Sequence, residues 1–170
     1  MNLGLEQRRA ILRNPVTAYV ALGANLGDAR AAVLQAFEAL ACWPEIEVTD
    51  RSALYRSAPH EAQGPDFINA VARIDTRLTA PDVLDALQAI EHQAGRVRPY
   101  VNAPRSLDLD LLFFGDASMH SPRLTLPHPR WRERAFVLYP LADVCPQRVG
   151  PDDLARVEDQ IIERVAGQWS

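Results

Sequence analysis

Two aspartates separated by a single leucine stand inside an apolar run in 105-RSLDLDLLFFGD-116. An isolated carboxylate taken out of water is costly unless a cation compensates it, so the surroundings must supply positive charge. On a strand the side-chain period is two. Asp108 and Asp110 therefore share one face, while Leu107, Leu109 and Leu111 share the other. Their Cα atoms then lie ~6.5–7 Å apart, which lets two carboxylates converge on a pair of cations ~3.5–4 Å apart. Oxygen-only donors favour Mg²⁺ or Mn²⁺, and Mg²⁺ usually completes its shell with water and substrate phosphates. For the acids alone, the alternative is a solvent-facing strand edge carrying two solvated carboxylates.

The charge around the pair favours the first reading. All eighteen basic residues are arginine and none is lysine, in a chain of net charge −4. That composition excludes a P-loop lysine, a protein-kinase strand lysine and any Schiff-base mechanism. Between Arg96 and Arg134, seven arginines face four acids, so this window is net +3. Arg96, Arg98 and Arg105 precede the strand; Arg123, Arg130, Arg132 and Arg134 follow it. The planar guanidinium binds phosphate oxygens in pairs and stays charged at physiological pH. Acids for a divalent cation, ringed by arginine, suit a polyphosphate substrate. Two alternatives remain. Surface ion pairs are worth about 1 kcal/mol or less each. Nucleic-acid binding is disfavoured by the acidic total and by the lack of interleaved aromatic residues.

In 123-RLTLPHPRWRERAF-136, His128 sits between two prolines. It is a general acid, a hydrogen-bond donor to phosphate, or simply a loop histidine. No nucleophilic triad is discernible, which favours direct transfer over a covalent intermediate. The turn 23-GANLG-27 superficially resembles a phosphate cradle. Its spacing is wrong and it lacks lysine, so it reads as a plain strand-to-helix turn.

The elements that must position these groups fit one domain. A chain of 170 residues is long enough to bury roughly 70% of its unfolded surface. Strands are expected at 18–23, 46–55, 67–75 and 107–114, with an edge strand near Ser118–Met119. Asp28 caps a first helix bearing Val33, Phe37, Leu40 and Ala41. Thr79 and Asp82 bracket the start of a second, which carries Val83, Leu84, Leu87 and Ile90 and ends at Gly95. Residues 131–142 look partly helical, and 151–166 read as a last amphipathic helix through Leu154, Val157, Ile161, Ile162 and Val165. This order predicts an α+β fold of ferredoxin-like kind: an antiparallel sheet with two helices on one face. Residues 1–16 are expected to be an N-terminal extension and 17–170 the domain. Cys42 and Cys145 match neither a metal-ligand nor a disulfide spacing, so both are expected to be buried, reduced thiols in a cytoplasmic protein. Neither a secretory signal nor a membrane span is read.

Together the motifs YVALGANLGD, YRSAPHEAQGPDFINAV, GRVR, APRSLDLDLLFFGD and RLTLPHPRWRERAFVLYPL resemble the 6-hydroxymethyl-7,8-dihydropterin pyrophosphokinases of folate biosynthesis, from about Tyr19 to about Pro146. The resemblance implies transfer of pyrophosphate from MgATP to the pterin's hydroxymethyl oxygen, releasing AMP. It implies that Asp108 and Asp110 hold two Mg²⁺ ions and that Arg96 and Arg105 lie near the transferred group. Gln88, Glu91, Arg98, Arg105, Leu111, Arg123, Thr125, His128 and Arg134 would contact ATP. The pterin would stack between Phe67 and Phe136, with Tyr100 nearby, while Asn69 and the chain at Ser57, Ala58 and His60 read its amide edge. A monomer without nucleic-acid or membrane partners is expected. The loops 23–28, 56–66 and 96–105 are expected to close over substrate.

This chain departs from the family pattern at Tyr100-Val101, where tryptophan or a further arginine is common. Milder departures are Phe67 for tyrosine and Ser106 for threonine. The rival readings are a non-catalytic ferredoxin-like nucleotide- or RNA-binding module and a two-metal phosphodiesterase.

Overall fold

The computed structural model describes residues 13–59, 64–95 and 107–166. Strand β1 (Val16–Ala24) lies between β4 (Phe67–Thr76) and β5 (Asp108–Phe114) and is antiparallel to both. β2 (Ile46–Arg51) and β3 (Tyr55–Ser57) pair in succession along the far side of β4. The sheet order β5-β1-β4-β3, with helices crossing after β1 and β4, is the ferredoxin-like arrangement the sequence predicts.

The predicted strand 46–55 breaks at Ser52. Its N–H donates to Val71 O at 2.9 Å, and its Oγ accepts the Val71 N–H at 2.8 Å. One hydroxyl thus substitutes for a missing ladder acceptor and lets the chain continue as β3.

Helices α1 (Ala29–Ala41) and α2 (Ala80–Gly95) cover one face. Asp28 caps α1, accepting the Ala31 N–H at 3.0 Å, and Thr79 Oγ1 accepts the Asp82 N–H at 3.2 Å at the start of α2. Their apolar stripes bury Phe37, Leu40, Leu87 and Ile90 against Val20, Leu22, Ile74, Leu109 and Leu111.

The other face of the sheet is covered as well. α3 (Ala135–Val144) packs Leu138 and Leu141 on Tyr19, Val71, Leu112 and Phe113. The Asp143 carboxylate fastens this helix to the sheet, accepting the Tyr55 hydroxyl at 2.9 Å and the Ala53 N–H at 3.0 Å. Burial first, then this hydrogen bond, pushes the Tyr55 phenol up to about 12.

Three further expectations are corrected. The C-terminal helix is only α4 (Pro151–Ala155), and β8 (Ile162–Arg164) then pairs with the open edge of β3. Leu154 and Val157 do pack inward, but Ile161 is 76% exposed, because the main chain there serves sheet pairing. The strand near Ser118–Met119 is β6 (Met119–His120), which pairs with β7 (Thr125–Leu126) in a separate ribbon. Cys145 is buried as expected, whereas Cys42, at the C-cap of α1, is exposed.

Candidate active site

β5 slips by one residue against β1. Val20 stands opposite Leu111 and Tyr19 opposite Phe113, leaving Leu112 as the extra residue. On the N-terminal side of this bulge, Leu107, Leu109 and Leu111 enter the α1–α2 core, while Asp108 and Asp110 take the α3 face beyond the start of that helix. Asp108 is exposed and Asp110 half-buried. The acids therefore keep contact with solvent and need no permanent cation for the fold.

Asp108 is in register with Gly23, and Gly23 with Asn69. Residues directly opposite on antiparallel strands point to the same side. Asn69 is buried; its Nδ2 donates to Ser57 Oγ at 2.8 Å, across to β3. Gly23 is the one position between them where side-chain volume is missing. A Cβ there would lie 3.3 Å from Asn69 Oδ1.

A pocket of about 230 Å³ opens over this register. Ser57, Ala58, Phe67 and Asn69 form one wall, Asp108 and Asp110 the second, and Arg130, Arg134 and Phe136 the third. Arg134 lies over the Phe136 ring, 5.5 Å from its centroid, so a cation and an aromatic ring share this wall.

His128 lies beside the β5 strand that carries the acids. Its main-chain N–H donates to Leu112 O at 2.9 Å, and its ring Nδ1 accepts the Arg130 main-chain N–H at 3.1 Å. A ring nitrogen that accepts carries no proton, so the neutral ring bears its hydrogen on Nε2. Burial holds the imidazole below its usual 6.5. Asp110 acts in the opposite direction, and Arg134 and Arg130 reinforce the lowering.

A second group of expected residues lies on the adjoining surface. Gln88 is exposed on α2. The Glu91 carboxylate accepts the Leu109 N–H at 3.3 Å, binding α2 to the outer edge of β5. Arg123 pairs with Asp85 of α2, and Thr125 belongs to the β6–β7 ribbon, which packs Leu124 and Leu126 into the same core. The Leu111 side chain is core, so only its main chain is available to a ligand. His60, Arg96, Arg98, Tyr100 and Arg105 lie outside the described residues, as do residues 60–63 and 96–105 of the loops expected to close.

Four residues that line the pocket, Ala21, Leu22, Gly23 and Arg130, are not among the site residues expected from sequence. Ala21, Leu22 and Gly23 lie in β1, within the strand 18–23 expected from sequence, but nothing in their residue types marks them as pocket lining. Arg130 was only one of several arginines after β5, although its neighbour Arg132 turns away to Trp131 and Asp153. The Pro-His-Pro framing was the available signal for Arg130: it fixes the loop from which that residue is aimed.

The model of the 7,8-dihydro-6-hydroxymethylpterin-pyrophosphokinase (HPPK) family matches residues 19–146. The chain belongs to that family. It is 46% identical over 156 residues to a 2-amino-4-hydroxy-6-hydroxymethyldihydropteridine pyrophosphokinase of Pseudomonas aeruginosa, covering 88% of this chain and 96% of that protein. To the protein of that name from Methylorubrum extorquens it is 43% identical over 154 residues, covering 87% and 98%. Among solved structures, wild-type Plasmodium falciparum HPPK-DHPS superposes with a TM-score of 0.67 at 14% identity, a likeness of fold alone. That match covers 90% of this chain and 45% of the other, so the chain spans under half of that longer protein. In the HPPK fold as this chain builds it, the carboxylates of β5, Phe67 and Asn69 of β4, and the segment carrying Arg130, Arg134 and Phe136 come from separate stretches of chain that meet over the β1–β4–β5 register.

Proposed function

We propose that this HPPK-family protein transfers the pyrophosphoryl group of ATP to the hydroxymethyl oxygen of 6-hydroxymethyl-7,8-dihydropterin, releasing AMP, a step of folate biosynthesis. The observation that carries the reading is the register Asn69–Gly23–Asp108. It sets a donor–acceptor side chain for a heterocycle's edge two strands from a carboxylate pair, inside one pocket.

Phe67 and Phe136 suit a flat bicyclic ring, and Asn69 with the chain at Ser57–Ala58 suits its amide edge. The nucleotide would lie along the outer edge of β5, between α2 and the β6–β7 ribbon, with Gln88, Glu91, Arg123, Thr125 and the Leu111 main chain beside it. Arg96, Arg98 and Arg105 are proposed to join from the preceding loop, with Tyr100 and His60 on the pterin side.

The donor set fits magnesium. Asp108 and Asp110 offer oxygen only, from one face, and no cluster of three or more His, Cys, Asp or Glu suited to a metal occurs among the described residues. A shell completed by water and phosphate oxygens matches Mg²⁺ better than a metal held by protein alone. Two such ions are proposed; when bound, they neutralise charge on the triphosphate.

The protein's own part is positioning and electrostatics. The hydroxymethyl oxygen attacks the β-phosphorus, the bond from that phosphorus to the α–β bridging oxygen breaks, and AMP leaves while the hydroxyl proton passes to solvent. Arg134 and Arg130 face the charge that moves onto phosphate oxygens. His128, neutral with hydrogen on Nε2, donates to one of them. No covalent enzyme intermediate is needed.

No helix among the described residues is long and apolar enough to cross a membrane. A cytoplasmic monomer is proposed. The purified protein should form AMP from MgATP only when the pterin is present. Steady ADP formation, or AMP formation indifferent to pterin, would overturn the assignment.

A further inference from the structure

The walls of the pocket are tied together by a segment beyond the family match, which ends at residue 146. α3 begins at Arg134 without a side-chain cap of its own, leaving its first N–H groups in need of partners. Gln160 supplies one from a distance of 25 residues. Its Oε1 accepts the Ala135 N–H at 2.9 Å, and its Nε2 donates to Glu133 O at 2.8 Å. Both halves of one amide thus hold the main chain on either side of Arg134, one residue before Phe136. The adjoining residue holds the opposite wall: Ile161 O accepts the Ala58 N–H at 3.3 Å, and β8 then pairs Ile162 with Ser57. The exposed Ile161 side chain contributes no packing that would account for its place.

Resting on the function proposed above, we propose that Gln160 is a positioning residue that sets the separation of the two pterin-facing walls. Residues 160–162 act as a brace between the Ser57–Ala58 chain and the Arg134–Phe136 chain. Pterin contacts both braced walls, whereas ATP depends on the brace only through Arg134. Loss of Gln160 therefore weakens pterin binding more than nucleotide binding.

The test compares wild type, Gln160→Ala, Gln160→Glu and Arg56→Gln. Arg56→Gln removes the exposed Arg56–Glu163 pair between β3 and β8 at 2.8 Å without touching α3, so it loosens the strand pairing alone. Calorimetry would measure a nonhydrolysable ATP analogue with Mg²⁺, and then 6-hydroxymethyl-7,8-dihydropterin on the analogue-saturated protein. Gln160→Ala is expected to raise the pterin Kd about tenfold and the analogue Kd by less than about threefold, as for two lost hydrogen bonds of ordinary strength. Gln160→Glu, which keeps the acceptor for Ala135, is expected to fall between wild type and Gln160→Ala; Arg56→Gln is expected to stay within about twofold of wild type.

Equal losses for both ligands, no loss of pterin affinity, or the same loss in Arg56→Gln would overturn the brace. If Gln160→Ala does not fold, a wild-type pterin Kd in Gln160→Glu overturns it. Wild-type protein that fails to bind the pterin at all would defeat the proposed function itself, a result distinct from failure of the brace.

Discussion

Asn69 and Asp108 face the same pocket from opposite flanks of Gly23, two strand spacings or about 10 Å apart. The glycine between them has ordinary strand geometry, so alanine is conformationally allowed, and only the added methyl is tested. Gly23→Ala is expected to push on the Asn69 amide and raise the KM for pterin about tenfold, with the melting temperature within about 3 °C of wild type. Steady-state kinetics with each substrate varied in turn would check this. An unchanged pterin KM would show that the Asn69 side of the register does not hold the substrate.

Asp110 is half-buried on the pocket wall, outside both apolar clusters. Asp110→Ala is therefore expected to leave the thermal unfolding midpoint nearly unchanged while lowering pterin-dependent AMP release by about a thousandfold or more. Retained AMP release would reject Asp110 as a ligand for the cation–triphosphate charge.

The His128 imidazole predicts a pH dependence. Its folded value lies below 6.5, so near and below that pH the unfolded chain takes up a proton that the folded chain resists. The stabilisation by the neutral ring is complete above about pH 6.5 and declines as pH falls towards the lower folded value. Urea midpoints measured between about pH 5 and 7.5 should fall more steeply on acidification for wild type than for His128→Gln. Parallel curves would exclude the buried neutral ring.

The Asp143 carboxylate serves Tyr55 and the Ala53 N–H together. Asp143→Ala strands both donors and is expected to cost about 1–2 kcal/mol. Tyr55→Phe leaves the Ala53 bond intact and is expected to cost about half as much. Chemical denaturation of the two variants and their double mutant would show whether the losses are shared.

The fold was legible where the signal was local. Asp28 and Thr79 announced their helices, and leucine alternation announced β5 with its two acids on one side. α3 was harder to read because AFVLYPLADV is apolar all round and shows no stripe that would say which sheet face it covers. The stretch 151–166 misled because Leu154, Val157 and Ile161 have helical spacing. What decides its structure is non-local: the unpaired edge of β3 recruits Ile162–Arg164, and the amide of Gln160 is spent on a distant helix start. Cys42 has apolar neighbours in sequence, but its position at the C-cap of α1 turns it outwards. The same limit applies to Arg130, since its aim depends on the Pro-His-Pro path rather than on any periodicity.

The extra residue at Leu112 resets which side of the sheet β5 presents, so the effect of a change in length depends on where it falls. Before it, alternate residues send leucine under α1 and α2; after it, Phe113 meets Tyr19 edge-on at 6.2 Å on the opposite side. Inserting one amino acid between Asp108 and Leu111 would turn part of the strand inside out, driving either a carboxylate into hydrocarbon or a leucine out of the α1–α2 core, whereas loss of Leu112 itself would leave Tyr19 opposite Phe113 in an unbroken ladder. In this strand, counting matters as much as chemistry: the one codon whose loss keeps every remaining side chain on its own side of the sheet is that of Leu112.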